Sequence, residues 1–320
     1  GLRCAAGNFF GLETKKDGTI AAGRHFDKGR IGRCIMSIEV KHLTHIYNPD
    51  TNMAKKALDD ISVQFHDGEF IGLIGHTGSG KSTFIQHLNA LLKPTSGEIL
   101  LNGKNIFDPN THLKEIRQRV GLVFQYPEHQ LFEMTVYRDV AYGPTNLGLT
   151  IEEIDSRVRE ALAVVGLGED MYEKSPFELS GGQKRRVAIA GILAMQPEVM
   201  ILDEPTAGLD PRGRDEILGA ISQMHQKLGI LVILVSHSME DVARLADRIV
   251  VFHQGKVAYC GTPREVFSHA RQLEEIGLAA PAVSYILADL RDRGFDLPGD
   301  LYTMDEGAQA IYEALQEKGL

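Results

Sequence analysis

Eight consecutive residues, Gly75-His76-Thr77-Gly78-Ser79-Gly80-Lys81-Ser82, follow the pattern G-x-x-x-x-G-K-[ST]. Each residue type suits the holding of a phosphate chain. Glycines let backbone N–H groups turn inward and approach phosphate oxygens with no Cβ in the way. A helix starting near Lys81 directs the positive end of its dipole at the anion. Lys81 is expected to reach the β- and γ-phosphates, and Ser82 to offer its hydroxyl to Mg²⁺. A chance glycine-rich turn is the bland alternative. Context weighs against it: an apolar run precedes the loop, and Phe84, His87, Leu88 and Leu91 follow it at helical spacing.

Two further pieces carry chemistry. Val199-Met200-Ile201-Leu202 is followed by Asp203-Glu204. A carboxylate at the C-terminal edge of a parallel strand faces the ligand crevice of an open α/β sheet. Asp203 is expected to hold Mg²⁺ through a water, and Glu204 to orient and polarise the attacking water as general base. A solvated Asp-Glu pair often closes a strand; behind a phosphate loop it reads as a site. The third piece is Leu179-Ser180-Gly181-Gly182-Gln183, ahead of Lys184-Arg185-Arg186 and an apolar helical run over 187–195. Ser180 is placed as a helix N-cap, and the two glycines leave the amide edge open. The alternative is a plain capped helix. Read as function, it is a second anion-binding helix terminus, and one chain rarely needs two for one nucleotide. The physical solution sets them in different subunits, each nucleotide lying between the phosphate loop of one and the Ser-Gly-Gly tip of another.

These residues need a scaffold. The segment Phe70-Ile71-Gly72-Leu73-Ile74 and the runs over 199–202 and 231–235 are continuous apolar strands of the kind found in parallel sheets covered on both faces. Between them Ile217, Ile221, Met224 and Leu228 keep helical spacing, as do Ile151, Ile154, Val158, Leu162 and Val165 earlier. From 135 to 195 the pattern is mostly helical, an insertion in an α/β core. With 43% hydrophobic and 24% charged residues in 320, the chain is globular in composition. Its formal charge of −9 argues against a protein that coats nucleic acid. The apolar run over 230–235 has six residues, far short of the roughly 18 that cross a bilayer. Three scattered cysteines, Cys4, Cys34 and Cys260, make neither a disulfide framework nor a zinc site, which fits a reducing cytosol.

Composition divides the chain. Residues 1–35 are glycine-rich, with seven Lys/Arg against three Asp/Glu, and read as vector-derived or upstream sequence without fixed structure. A basic arm touching acidic lipid headgroups is the alternative, weakened by the dispersal of the charges. Residues 36–269 form the main unit. Residues 270–320, with four Lys/Arg against ten Asp/Glu and helical patterns over 282–293 and 305–316, form a small acidic C-terminal domain.

The three pieces together resemble the nucleotide-binding subunit of ATP-binding cassette (ABC) transporters, over about residues 37–269. The resemblance implies an α/β fold: a P-loop NTPase core of the ABC ATPase type, with an antiparallel β subdomain, a helical subdomain over about 135–195 and a small helical C-terminal extension. It implies ATP and Mg²⁺ as ligands, bound by Gly75 through Ser82 and by Thr83. Tyr47, 28 residues before Gly75, resembles the aromatic that stacks on adenine. Gln125 resembles the glutamine that senses Mg²⁺ and the attacking water, in a loop facing the membrane subunit. Asp210 resembles the residue that links the two composite sites, acting in trans with Ser180, Gly181, Gly182 and Gln183. His237 resembles the histidine that contacts the γ-phosphate. Each has an ordinary reading too: a half-buried tyrosine, a surface glutamine, a core or capping histidine.

A finer resemblance is to the ATPases of energy-coupling factor transporters. It rests on Gln125-Tyr126-Pro127-Glu128-His129-Gln130-Leu131-Phe132, Thr135-Val136, Asp139-Val140-Ala141-Tyr142-Gly143-Pro144, Asn146-Leu147-Gly148-Leu149 and Pro205-Thr206-Ala207-Gly208-Leu209-Asp210-Pro211. It implies a second, related ABC ATPase, a transmembrane coupling protein, and a membrane-embedded protein that binds a vitamin or transition-metal ion. It implies a peripheral place on the cytoplasmic face of the cell membrane, no nucleic-acid partner, and an acidic extension that makes dimer contacts. Two alternatives stay open. One is the ATPase of a conventional importer, against which the segment around Gln125 speaks. The other is a soluble ABC protein of DNA repair or translation, which the short span between Lys81 and Ser180 and the single phosphate loop disfavour.

Overall fold

A computed structural model of the chain describes residues 36–317. The leader 1–35, with Cys4 and Cys34, lies outside the described residues. The chain opens with β1 (Met36–Tyr47), β2 (Lys55–His66) and β3 (Phe70–Gly75), then α1 (Lys81–Leu88), β4 (Ser96–Leu101) and β5 (Lys104–Asn105). Next come α2 (Leu113–Arg119), β6 (Val120–Val123), α3 (Val136–Asn146), α4 (Ile151–Val164), α5 (Gly181–Leu193) and β7 (Val199–Asp203). After α6 (Pro211–Leu228), β8 (Leu231–Val235), α7 (Met239–Leu245), β9 (Arg248–His253) and β10 (Lys256–Gly261), the chain ends in α8 (Pro263–Phe267), α9 (Ala270–Glu275), α10 (Ala282–Asp292) and α11 (Met304–Glu317).

Six strands form one sheet in the order β10-β9-β3-β8-β7-β6, parallel from β9 through β6, with β10 added antiparallel. The other sheet, β2-β1-β4-β5, is antiparallel throughout. The sequence pattern explains the six-stranded sheet. Alternate residues of a strand point to opposite faces, and here both faces are covered. Met200, Leu202, Val232 and Leu234 pack with the helices α3 to α6. Val199, Ile201, Leu231 and Ile233 pack on the other side, with α1 and the antiparallel sheet. All of these are fully buried, at 0–1% exposure. At about 1.5–3 kcal/mol per buried large aliphatic side chain, this double coating is the main force holding the strands in place.

Helix α1 lies between the sheets: its Phe84, Ile85 and Leu88 share a cluster with Phe65 and Ile99 of one sheet and Ile71 and Val250 of the other. It ends at Leu88, short of Leu91, because Ala90 turns into the left-handed region at φ 54°. The helices over 135–195 start on side-chain caps: Thr135 accepts from Arg138 N, and Thr150 and Ser180 each form a reciprocal capping box with Glu153 and Gln183. Past residue 269, Leu273, Leu278 and Ala280 still pack with Ile74 and Ile249 of the large sheet. A separate small cluster, with Val283, Leu287, Leu297 and Ala314, begins with α10. Arg264 ties this end back through Asp300 at 2.6 Å and Glu306 at 3.0 Å.

Close approach of α7 to β3 depends on Gly72, where a Cβ would lie 2.3 Å from Cγ1 of Val242. Gly72→Ala is therefore expected to lower the unfolding free energy by about 1–3 kcal/mol through overpacking. Urea denaturation followed by circular dichroism measures it; an unchanged midpoint would show that α7 has room to shift.

Candidate active site

The loop after β3 is shaped by its glycines. Gly80 adopts φ 107°, and a Cβ there would sit 2.7 Å from the carbonyl oxygen of Ala57. Gly78, at φ 81°, faces open space. Between them Ser79 is fully buried, its carbonyl accepting from Gly255 N at 2.9 Å and its hydroxyl without a partner. Lys81 opens α1 and curls back over the loop: Nζ donates to the carbonyls of Gly75 at 2.5 Å and His76 at 3.1 Å. Only 6% of Lys81 is exposed. Burial lowers its pKa, and the negative charges of Glu204 and Asp203 oppose that shift. Tyr47, at the end of β1, reaches this same helix, its hydroxyl 3.2 Å from Oγ1 of Thr83.

Strand β7 delivers the carboxylates. Asp203 is its last residue, and burial, reinforced by the charge of Glu204 and opposed by Lys81, pushes its carboxyl up to about 6. Glu204 follows in the left-handed region at φ 48°, its N–H bonded to the carbonyl of Val235 at 3.0 Å. A non-glycine residue held there costs on the order of 1 kcal/mol or more, and such strain gathers at functional sites. The turn brings the Glu204 carboxylate between two other groups. Nε2 of His237, just past β8, lies 2.6 Å from Oε1, and Nε2 of Gln125 donates to Oε2 at 3.3 Å. Gln125, Glu204 and His237 thus meet, with Asp203 and Lys81 close enough to sense the charge of Glu204.

The five residues expected to act in trans, Ser180 to Gln183 and Asp210, lie apart from this constellation in their bonding. Ser180 caps α5: its hydroxyl accepts from Gln183 N at 3.3 Å, and its own N–H donates to Oε1 of Gln183 at 3.0 Å. Gly181 and Gly182 face open space. Asp210 caps α6, accepting from Gly213 N at 2.7 Å. Ser180 and Asp210 are exposed. Three residues that the motif reading passed over belong to the site's framework. Arg185 is buried in α5 and holds Glu128, with Tyr126 beside it. The signal for Arg185 was its spacing: with Ile189 and Leu193 it falls at i, i+4 and i+8, on the buried face of the helix.

The residues fit a nucleotide with Mg²⁺. The loop supplies amides without Cβ obstruction, an unpartnered buried hydroxyl and a buried ammonium. Among the described residues no group of three or more His, Cys, Asp or Glu could hold a metal ion alone. Mg²⁺ is commonly held by one or two protein groups together with substrate phosphates, and Ser82, Asp203 and Gln125 offer that kind of donor set.

Comparison with known proteins decides the family. A family model described as "ABC transporter" matches residues 58–207. The energy-coupling factor transporter ATP-binding protein EcfA2 of Clostridioides difficile is 58% identical over 287 residues, covering 89% of this chain and 100% of the relative. The chain belongs to the energy-coupling factor transporter ATP-binding family. It is an ATP-binding and ATP-hydrolysing subunit of such a transporter. EcfA2 of Clostridium perfringens is 54% identical, covering 88% of this chain and 99% of that one. Among solved structures, cbiO1 of Clostridium perfringens, part of the ABC transporter complex cbiONQ, aligns with a TM-score of 0.68 at 39% identity, covering 75% of this chain and 94% of that chain. The ATP-binding cassette MJ0796, solved as a post-hydrolysis dimer bound to ADP and Pi, aligns with a TM-score of 0.62 at 31% identity, covering 71% and 98%. Among the described residues no helix is long and apolar enough to cross a membrane.

The raised pKa of Asp203 is a stability statement. An unfolded carboxyl ionises near pH 3.8, the folded one near 6, so the folded state is penalised as pH rises through that window and carries the full penalty above it. In EDTA without nucleotide, Asp203→Asn should raise the melting temperature at pH 8 and raise it far less at pH 4, close to the unfolded pKa. Equal effects at both values would contradict the burial of this charge.

Proposed function

We propose that this subunit and a second, related ATPase close around two ATP molecules, and that closure drives uptake of a vitamin or a transition-metal ion through a transmembrane coupling protein. The juxtaposition of Glu204 with His237 and Gln125, at 2.6 and 3.3 Å beside the phosphate loop, is the observation that carries this reading. Tyr47 stacks on adenine, and the amides of residues 75–83 with Lys81 grip the phosphates. Ser82, Asp203 and Gln125 would hold Mg²⁺, which would neutralise developing charge on the phosphate oxygens. Glu204 takes the proton of the attacking water, and His237 holds the γ-phosphate while keeping the Glu204 carboxylate aimed. The Ser180, Gly181, Gly182 and Gln183 tip and Asp210 of this chain complete the site of the second ATPase. The exposure of Ser180, Gly181 and Asp210 and the open space around the two glycines support that role, as does the dimer described for MJ0796. Excluding water on closure strengthens every one of these contacts.

The link to the membrane runs through residues 125–132. Beside them lies a cavity of about 480 Å³ lined by Leu131, Phe132, Tyr142, Leu147 and Ile192 among others. Its apolar wall suits a helix of the coupling protein. Phe132 is 58% exposed, with its ring edge-on to Tyr142 at 4.9 Å. A separate membrane-embedded protein binds the cargo, and the ATPases sit on the cytoplasmic face of the cell membrane. The acidic C-terminal helices contribute a contact between the two ATPases. The complex named in the description of cbiO1 supports this assembly.

Two outcomes test the reading. Glu204→Gln should bind ATP with near-native affinity by calorimetry and lose about 10²–10⁴-fold in turnover. Near-native hydrolysis would remove Glu204 from the role of base. Phe132→Ala should abolish cargo uptake in vesicles reconstituted with the membrane partners, while basal ATP hydrolysis persists; intact uptake would remove the cavity from the coupling route.

A further inference from the structure

Arg185 has the largest fully buried side chain among the described residues, at 1% exposure. Its Nε and Nη2 donate to the two carboxylate oxygens of Glu128 at 3.0 and 2.6 Å. Its Nη1 donates to the backbone carbonyls of Pro205 at 2.8 Å and Ala207 at 2.9 Å. The ring of Tyr126 lies 5.9 Å from the guanidinium carbon. Tyr126 itself sits at φ 56°, and Cε1 would lie 3.5 Å from a Cβ placed on Gly208. Burial works against ionisation of the Glu128 carboxyl, yet the hydrogen bonds from Arg185 bring it below the ordinary carboxylate value.

Stability alone does not call for this arrangement. A buried ion pair is often no better than aliphatic side chains of similar volume, and Ile189 and Leu193 fill the same helix face. What an aliphatic residue cannot do is bind two carbonyls and a carboxylate at once. The planar fork of arginine can. The groups it binds belong to two functional segments, the 125–132 loop and the stretch directly behind Glu204, and Arg185 itself stands on a third, helix α5, whose tip is Ser180.

We infer that Arg185 and Glu128 are positioning residues that make these three segments move as one piece, so that displacement of the 125–132 loop by the membrane partner reaches Glu204 and Ser180 together. The inference rests on the function proposed above and goes beyond it. Neither residue touches nucleotide; both act through the groups they hold.

The test uses the transport complex in lipid vesicles, with Glu128→Gln, Arg185→Lys and the double variant. Glu128→Gln keeps the side chain's shape and one acceptor, so it carries the test should Arg185→Lys fail to fold. Nucleotide affinity should stay within about twofold, while the ratio of partner-stimulated to basal hydrolysis falls about tenfold. The double variant should lose no more than the worse single variant, since both cut the same link. A purely structural role would lower the melting temperature and scale all activities together, leaving the ratio intact. An unchanged ratio in Glu128→Gln, or additive losses in the double variant, overturns the inference. A wild-type complex that does not hydrolyse ATP overturns the functional reading and this inference with it.

Discussion

Parallel pairing of three strands governs the molecule. In register, Leu73 of β3 lies beside Val235 of β8, and Val235 beside Asp203 of β7. This row marks the edge of the sheet. Each chain emerges from it within two residues of a group that does chemistry: Gly75 at the start of the phosphate loop, Glu204 directly after β7, His237 two past β8. Both faces of these strands are buried, so no polar group can be placed along them without cost. The end of the sheet is the one place where burial stops and charge can begin.

The charges at that edge are held under tension. Lys81 is buried with only loop carbonyls for partners, Asp203 is disfavoured as an anion, and Glu204 occupies a backbone region that suits glycine. A site built this way makes the folded chain less stable than it need be. The two electrostatic terms, at Lys81 and Asp203, are relieved when an anion meets the ammonium and a cation meets the carboxylates. Binding energy is thereby built into the folded chain beforehand, which is the meaning of preorganisation.

The three buried strands could be read directly, because a strand covered on both faces is an unbroken apolar run. The helices over 135–195 could be read for their spacing and their caps. The antiparallel sheet was legible only through resemblance. In β1 the alternation is broken by register shifts on both sides of Leu43, and His42 adopts φ 50°, so its period-two pattern stops after Val40, while the alternation of Ile61, Val63 and Phe65 in β2 is too short by itself to declare a sheet. The phosphate loop, Asp203 and Glu204 were legible because they are contiguous with a strand. The meeting of Gln125 with Glu204 was not, since it joins residues 79 apart that only the pairing of β6 with β7 brings side by side. Arg185 was hidden for another reason. It stands in a Lys-Arg-Arg run that composition alone assigns to a solvated surface, and only its place on the helix face distinguishes it.

The tip of α5 shows main chain where most docking surfaces show side chains. The side-chain oxygens of Ser180 and Gln183 each accept from a backbone N–H of their own helix turn, and the two glycines between them present only main chain. A surface made of backbone looks the same in any chain that can form it. It therefore holds no identity by which one subunit could tell a sister from a stranger. Discrimination between possible companions must be inscribed elsewhere in the polypeptide, leaving this corner free to stay constant while the rest diversifies.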